Sequence, residues 1–336
     1  MKKSLPALFV MILLLAMPAW AMHRSGRVTM EFDLSAQPAG AAVRLWIPYP
    51  VSNRDQLIGN VRVEGDYATS AVYTLPVNGT SLLYAEWPNE SKDRKLTLAF
   101  DVTRDELRRG DLPDQEPAWN PADYAAFLAP TSLGPTDGAV RELADKITAG
   151  KTTVLERARA IYDWTVENMY RDPATIGCGK GDVCYLLVRP GGKCTDISSV
   201  FVALCRAAGV PAREVFGLRF GKQPEQDITT WQHCWSEFFL PGYGWVPADP
   251  ADVLKAMLVE KLERTSPRIV ELRDYFWGGI DAYRFQLATG RDLVLNPAQV
   301  GAPLNTFGYP YAEVGGKPID FYDPKSFTYR FSFKEL

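Results

Sequence analysis

The chain has 336 residues, with 37 lysines and arginines against 40 aspartates and glutamates, five cysteines and two histidines. This near balance of charge, without a dense basic run, excludes a basic surface built for nucleic acid or an anionic membrane. With two histidines and no C-x-x-C pair among the cysteines, no metal site and no cofactor is expected.

Residues 1–21, MKKSLPALFVMILLLAMPAWA, have the form of a secretory signal peptide: Lys2 and Lys3, an apolar stretch, then Ala19-Trp20-Ala21 as the cleavage site. Its apolar core is short for a membrane span, and no later run reaches that length. Cleavage after Ala21 leaves 315 residues with 35 basic and 40 acidic side chains, enough for two domains. The short Lys-Lys start is bacterial in kind, so an exported protein, periplasmic or secreted and without a membrane anchor, is expected.

Residues 22–103 read as β structure. Val28, Met30, Phe32 and Leu34 alternate with polar residues, and AVRLWIPYP, SAVYTL, SLLYAEW and KLTLAFDV follow between turns. Short, turn-bounded strands predict an antiparallel, sandwich-like domain that serves packing or docking. Residues 104–135 are rich in Pro, Gly and acidic residues and read as a strap, with a short helix at Tyr124–Leu128.

Residues 136–336 form the second expected domain, with its core at 150–255. A helix over Ala139–Ile147 precedes one opened by Thr153 and Glu156, an S/T-x-x-E capping box. Ala158, Ile161, Thr165 and Met169 share a face of that second helix. The stretch GGKCTDISSVFVALCRAAGVPAR (191–213) predicts a helix that is apolar nearly all round, hence buried, and stopped by Gly209 and Pro211. REVFGLRFG, WQHCWSEFFL and GWVPADP read as strands, the last two joined by the turn PGYG. DAYRFQL, RDLVLN and the alternating Phe327, Tyr329, Phe331 and Phe333 bring β signals at the end of the chain, the last completing a sheet edge.

Cys194 opens the buried helix. A helix N-terminus favours a thiolate, Gly191-Gly192 allows a sharp turn and close approach, and Lys193 adds positive charge. His233 follows 39 residues later on a strand; His23, near the start of the mature chain, is a poor alternative base. Asp249 ends the strand after PGYG. A turn centred between Gly242 and Tyr243 opposes residues whose numbers sum to 485, whereas His233 and Asp249 sum to 482; a diagonal step plus one bulge closes the gap. Asp252 is the nearest substitute. Cys178 and Cys184 flank the Gly-rich loop CGKGDVC and are candidates for a disulfide, two free thiols being the alternative. Cys205 reads as a buried small hydrophobe.

GGKCTDISSVFVALCRAAGVPAREV followed by WQHCWSEFFLPGYGWVPADP resembles the core of the transglutaminase-like superfamily. The resemblance implies a papain-like α+β fold with a central helix against an antiparallel sheet. It also implies roles: Cys194 as nucleophile, His233 as general base and acid, Asp249 as the carboxylate that orients the imidazole. Cys234, beside the histidine, is then core or bridge. Some family members add an aromatic oxyanion donor; Tyr170 is the candidate here, with Trp164 and Trp231 further aromatics near the expected cleft. The implied activity is acyl transfer from a peptide, isopeptide or amide bond of a protein or peptide substrate through a thioester. Hydrolysis is the expected outcome, with amine transfer by a crosslinking transglutaminase and an inactive binding scaffold as alternatives.

Overall fold

The computed structural model describes residues 22–113 and 115–336; the expected signal peptide lies outside them. The alternation near the start produces the His23–Asp33 strand, which buries Val28, Met30 and Phe32. It pairs antiparallel with Lys95–Asp105, which buries Leu96, Leu98, Phe100 and Val102. Two five-stranded antiparallel sheets grow from this region. One runs in the order 225–227, 328–335, 23–33, 95–105, 56–65 and the other 317–318, 311–314, 43–48, 81–87, 69–74. Residues of both sheets join in one buried cluster that includes Phe32, Ile47, Trp87, Phe100 and Phe331.

The sheets cross the boundary expected near residue 103. Strands 311–314 and 328–335, from the far end of the chain, pair directly with 43–48 and 23–33. The C-terminal stripe is not an edge, because Glu225–Asp227 pairs outside it. Gln56–Gly65 is a strand that alternation does not disclose: Asn60 has a φ of 49°, and the register shifts between Gly59 and Arg62. Such a bulge breaks the two-residue period.

The remaining α+β part is built on a four-stranded antiparallel sheet in the order 244–248, 232–240, 212–219, 284–289. The Cys194–Ala207 helix packs on it, and every residue of that helix is buried. Helices Gly138–Ile147, Val154–Asn168, Val183–Val188 and Pro250–Glu260 surround it. The expected capping box is present: Glu156 N–H donates to Thr153 Oγ1 at 3.1 Å, and Thr153 N–H to Glu156 Oε2 at 3.1 Å. Helices Pro250–Glu260 and Pro267–Tyr275 were not foreseen, although Asp249-Pro250 and Ser266-Pro267 are cap-plus-proline starts. RDLVLN forms no strand; Leu293 makes only an isolated bridge to Leu304.

The strap is tied to this core. Leu107–Arg108 pairs with Gly279–Ile280, and Arg206 donates to the Ala129 carbonyl at 2.9 Å. Glu116 accepts the N–H groups of Val154 and Leu155 at 2.9 and 2.8 Å, so a strap carboxylate meets the positive end of the 154–168 helix. The short helix expected at Tyr124–Leu128 is a 3₁₀ turn at Pro121–Tyr124 running into a helical turn at Ala125–Leu128. Among the described residues no helix is long and apolar enough to cross a membrane.

Candidate active site

Cys194 is the first residue of the buried helix, with Lys193 as its cap residue. The chain reaches it through Gly191–Gly192, which pairs in parallel with Tyr170–Arg171. Gly192 is required by space: a Cβ there would lie 2.4 Å from Asp196 Cβ. The Asp196 carboxylate fastens two backbones at once. Oδ2 accepts from Lys193 N–H at 3.0 Å, while Oδ1 accepts from Lys180 and Gly181 N–H at 3.0 and 2.7 Å. Gly179, at φ +94°, passes so close to this carboxylate that any side chain would collide with it.

This fastening turns Cys178 inward. Its carbonyl accepts from Thr195 N–H at 2.9 Å, and the sulfurs of Cys178, Cys194 and Cys234 lie within 4.8 Å of one another. The disulfide considered between Cys178 and Cys184 is therefore not formed: Cys184 is exposed at the start of the 183–188 helix, and all five cysteines are free. The Cys194 thiol is held well below its ordinary range. The neighbouring thiols of Cys178 and then Cys234 lower it, burial opposes them, and His233 lowers it further. Cys178 moves up, chiefly because of its bond to Cys194, and burial pushes Cys234 up. Cys205 is buried and its thiol is likewise raised by burial.

His233 sits opposite Gly217 in the central sheet, and its Nε2 lies 2.8 Å from Asp249 Oδ2. With Nε2 occupied, Nδ1 is the nitrogen left for the thiol. The register reaches Asp249 without a bulge. Ser236 opposes Ala248 and Leu240 opposes Gly244, so Asp249, just past the ladder, is a diagonal neighbour of His233. Asp249 also caps the following helix, its Oδ1 accepting from Asp252 N–H at 3.0 Å. Asp252 stands behind it, with Oδ1 3.8 Å from His233 Nε2.

Sequence reasoning missed Arg284. Fully buried, it donates to Asp249 Oδ2, to Asp252 Oδ2 at 2.7 Å and to Asp281. Arg219 donates to Asp252 Oδ1. Three carboxylates thus meet two guanidiniums, and the surplus negative charge faces His233. Burial opposes ionisation of Asp252 and Asp281, but Arg219, His233 and Arg284 outweigh it at Asp252, and Arg284 does so at Asp281; both carboxyls lie below their ordinary range. Among the described residues two groups have the spacing to share a cation, the three thiols and His233–Asp249–Asp252. In the second, the two arginines already stand where a cation would.

Residues 141–250 match the transglutaminase-like superfamily. Over 335 residues the chain is 38% identical to an uncharacterized protein of Haemophilus influenzae, covering 92% of this chain and 90% of that one. The chain belongs to the transglutaminase-like superfamily. A second relative is the uncharacterized protein YebA of Bacillus subtilis, 30% identical over 125 residues, which cover 33% of this chain and 17% of YebA. Among solved structures, a proposed cysteine protease from Cytophaga hutchinsonii superposes with a TM-score of 0.54 at 17% identity, over 94% of this chain and 98% of that one. The likeness in fold thus extends beyond the transglutaminase-like core to the paired sheets.

In this transglutaminase-like core a cleft of about 510 Å³ opens onto Cys194. Tyr170, Trp164 and Trp231 are not among its lining residues. Tyr170 is half-exposed with its ring against Gly191, Trp164 packs on the helical core, and Trp231 packs on the cluster between the sheets. The tyrosine nearest the thiols is Tyr309, whose hydroxyl donates to Cys178 Sγ at 3.3 Å. Thr195 N–H is committed to Cys178, whereas Cys194 N–H, in the first turn, has no acceptor within the helix.

Proposed function

We propose that this chain is an exported thiol-dependent acyl-transfer enzyme acting on a peptide, isopeptide or amide bond of a protein or peptide substrate. The observation that carries this reading is the union of a lowered thiol at the start of a buried helix with an imidazole held by Asp249 at 2.8 Å. Cys194 is the nucleophile, His233 the base and acid, Asp249 the orienting carboxylate. The Cys194 thiolate forms a C–S bond to the carbonyl carbon, and the carbonyl π pair moves to oxygen. The Cys194 N–H is positioned to donate to that oxyanion. As the carbonyl re-forms, the C–N bond breaks and His233 delivers its proton to the departing amine. Water then attacks the thioester carbon as His233 takes its proton, the C–S bond breaks, and the acid leaves with Cys194 restored as a thiolate. Hydrolysis is preferred to amine transfer as the second half, since water needs no acceptor site of its own.

The test needs no substrate. Alkylation of Cys194 by iodoacetamide, followed by mass spectrometry across pH, is expected to be rapid well below pH 7 and to lose that low-pH limb in His233→Ala. Labelling that rises only near the ordinary thiol value of about 8.5, unchanged by the substitution, would favour an inactive scaffold.

A further inference from the structure

The cleft above Cys194 has two chemically different sides. One is aromatic. Tyr309 and Phe321 stack at 4.9 Å, Phe321 and Tyr322 lie 4.4 Å apart, and Phe327 continues the wall. Tyr322 presses on Gly177 so closely that a Cβ there would meet its ring. The other side is cationic: Arg171 and Lys193 line the cleft with the nucleophile, and among the described residues no aspartate or glutamate does. Arg171 is half-buried, and its Nη1 is buried without a hydrogen-bond partner among the described residues. Lys255 lies close enough to sense both Arg171 and Cys194; burial, then Arg219, lowers its ammonium. The Arg171 guanidinium lines the cleft and makes no ion pair among the described residues, so it can receive an acceptor that enters there.

We infer that this cleft is a carboxylate-selective acyl-donor subsite, in which Arg171 and Lys193 receive a carboxylate of the substrate and the aromatic wall receives an apolar group beside it. The inference rests on the acyl-transfer reading and adds the substrate class: an acidic peptide segment next to an apolar side chain. Arg171 offers paired N–H donors to a carboxylate, and Lys193 offers a point charge next to the reacting sulfur. The aromatic faces supply area for an apolar side chain with little further ordering.

The experiment compares two alkylating reagents of similar size, iodoacetate and iodoacetamide, at low ionic strength. Both report the same thiolate fraction, so their rate ratio isolates recognition of the reagent's charge. The ratio for Cys194 is expected to exceed that of a thiol in an unstructured peptide. It should fall ~3-fold or more in Arg171→Gln, the effect of one unit charge a few ångströms away, recover in Arg171→Lys, and shrink with added salt. Near-UV circular dichroism checks that each variant is folded, and the wild-type salt response tests the inference without any variant. A ratio unmoved by Arg171→Gln and by salt, with rapid iodoacetamide labelling, would overturn the subsite while leaving the activated thiol intact. Slow iodoacetamide labelling would remove both readings. Protection of Cys194 by N-acetylphenylalanine or by N-acetylglutamylphenylalaninamide, beyond that by their amide counterparts, identifies a chain-terminal or a side-chain carboxylate as the group bound. Protection by neither acid beyond its amide counts against the subsite.

Discussion

At the scale of single residues, the chemistry depends on which neighbours touch one sulfur. Cys194, His233 and Asp249 were legible because each sits at a local signal: a helix start after Gly-Gly, an alternating strand, a strand end before proline. Cys178 was misread for an equally local reason. Spacing joined it to Cys184 across a Gly-rich loop, whereas Asp196 folds that loop over and delivers Cys178 to Cys194 instead. Among the groups that lower the Cys194 thiol, Cys178 stands first. Cys178→Ala removes that neighbouring thiol, so the pH midpoint of Cys194 alkylation should move up. Cys178→Ser keeps a hydroxyl donor and should hold the midpoint nearer wild type. A midpoint the same in all three proteins would make Cys178 a packing residue only.

At the scale of elements, strand register does much of the positioning. The three-residue loop between Leu240 and Gly244 sets which residue of the 244–248 strand ends beside His233, and Asp249 follows as the cap of the next helix. That much can be approached by counting residues, and the count missed by one because loop geometry is not written in the count. Arg284 could not be reached this way: Asp249 and Asp252 lie 35 and 32 residues before it, on other elements. Its removal is the sharper test of the cluster. Arg284→Leu leaves two buried carboxylates and the half-buried Asp281 with one arginine, which should destabilise the fold by about 3–5 kcal/mol. The pH dependence has a definite sign. Asp252 and Asp281 have lowered carboxyls in the fold, so their stabilising contribution is complete above the unfolded value of about 3.9 and is lost as pH falls through the folded values. In Arg284→Leu burial acts with less opposition and raises them. Urea unfolding at a series of pH values should therefore show a wild-type advantage that is widest near neutrality and narrows below about pH 4. A constant gap would mean that Arg284 acts through packing alone.

At the scale of the molecule, the decisive feature is that the first and last strands of the described chain are neighbours. The alternation in 327–333 showed that a strand exists there, but alternation carries no address, so its place between 23–33 and 225–227 was not legible. That place joins the parts. Strand 225–227 belongs to the connection between two strands of the four-stranded sheet, and the 328–335 strand bonds it to the first strand of the chain. Phe331 and Phe333 fill the cluster that both five-stranded sheets share. Residues 22–105 alone would lack 311–314 and 328–335, leaving two sheets with unpaired edges and an open core. The chain is accordingly expected to unfold in one transition, with near-UV circular dichroism and Cys194 protection lost at the same urea concentration. Deleting 328–336 should lower that midpoint sharply and increase aggregation, because it exposes the strand edge of 23–33 and the apolar faces of Phe32 and Phe220. Two separated transitions in the intact chain, or a deletion variant with an unchanged midpoint, would show that the paired sheets are an appendage to the thiol site and no part of what holds it.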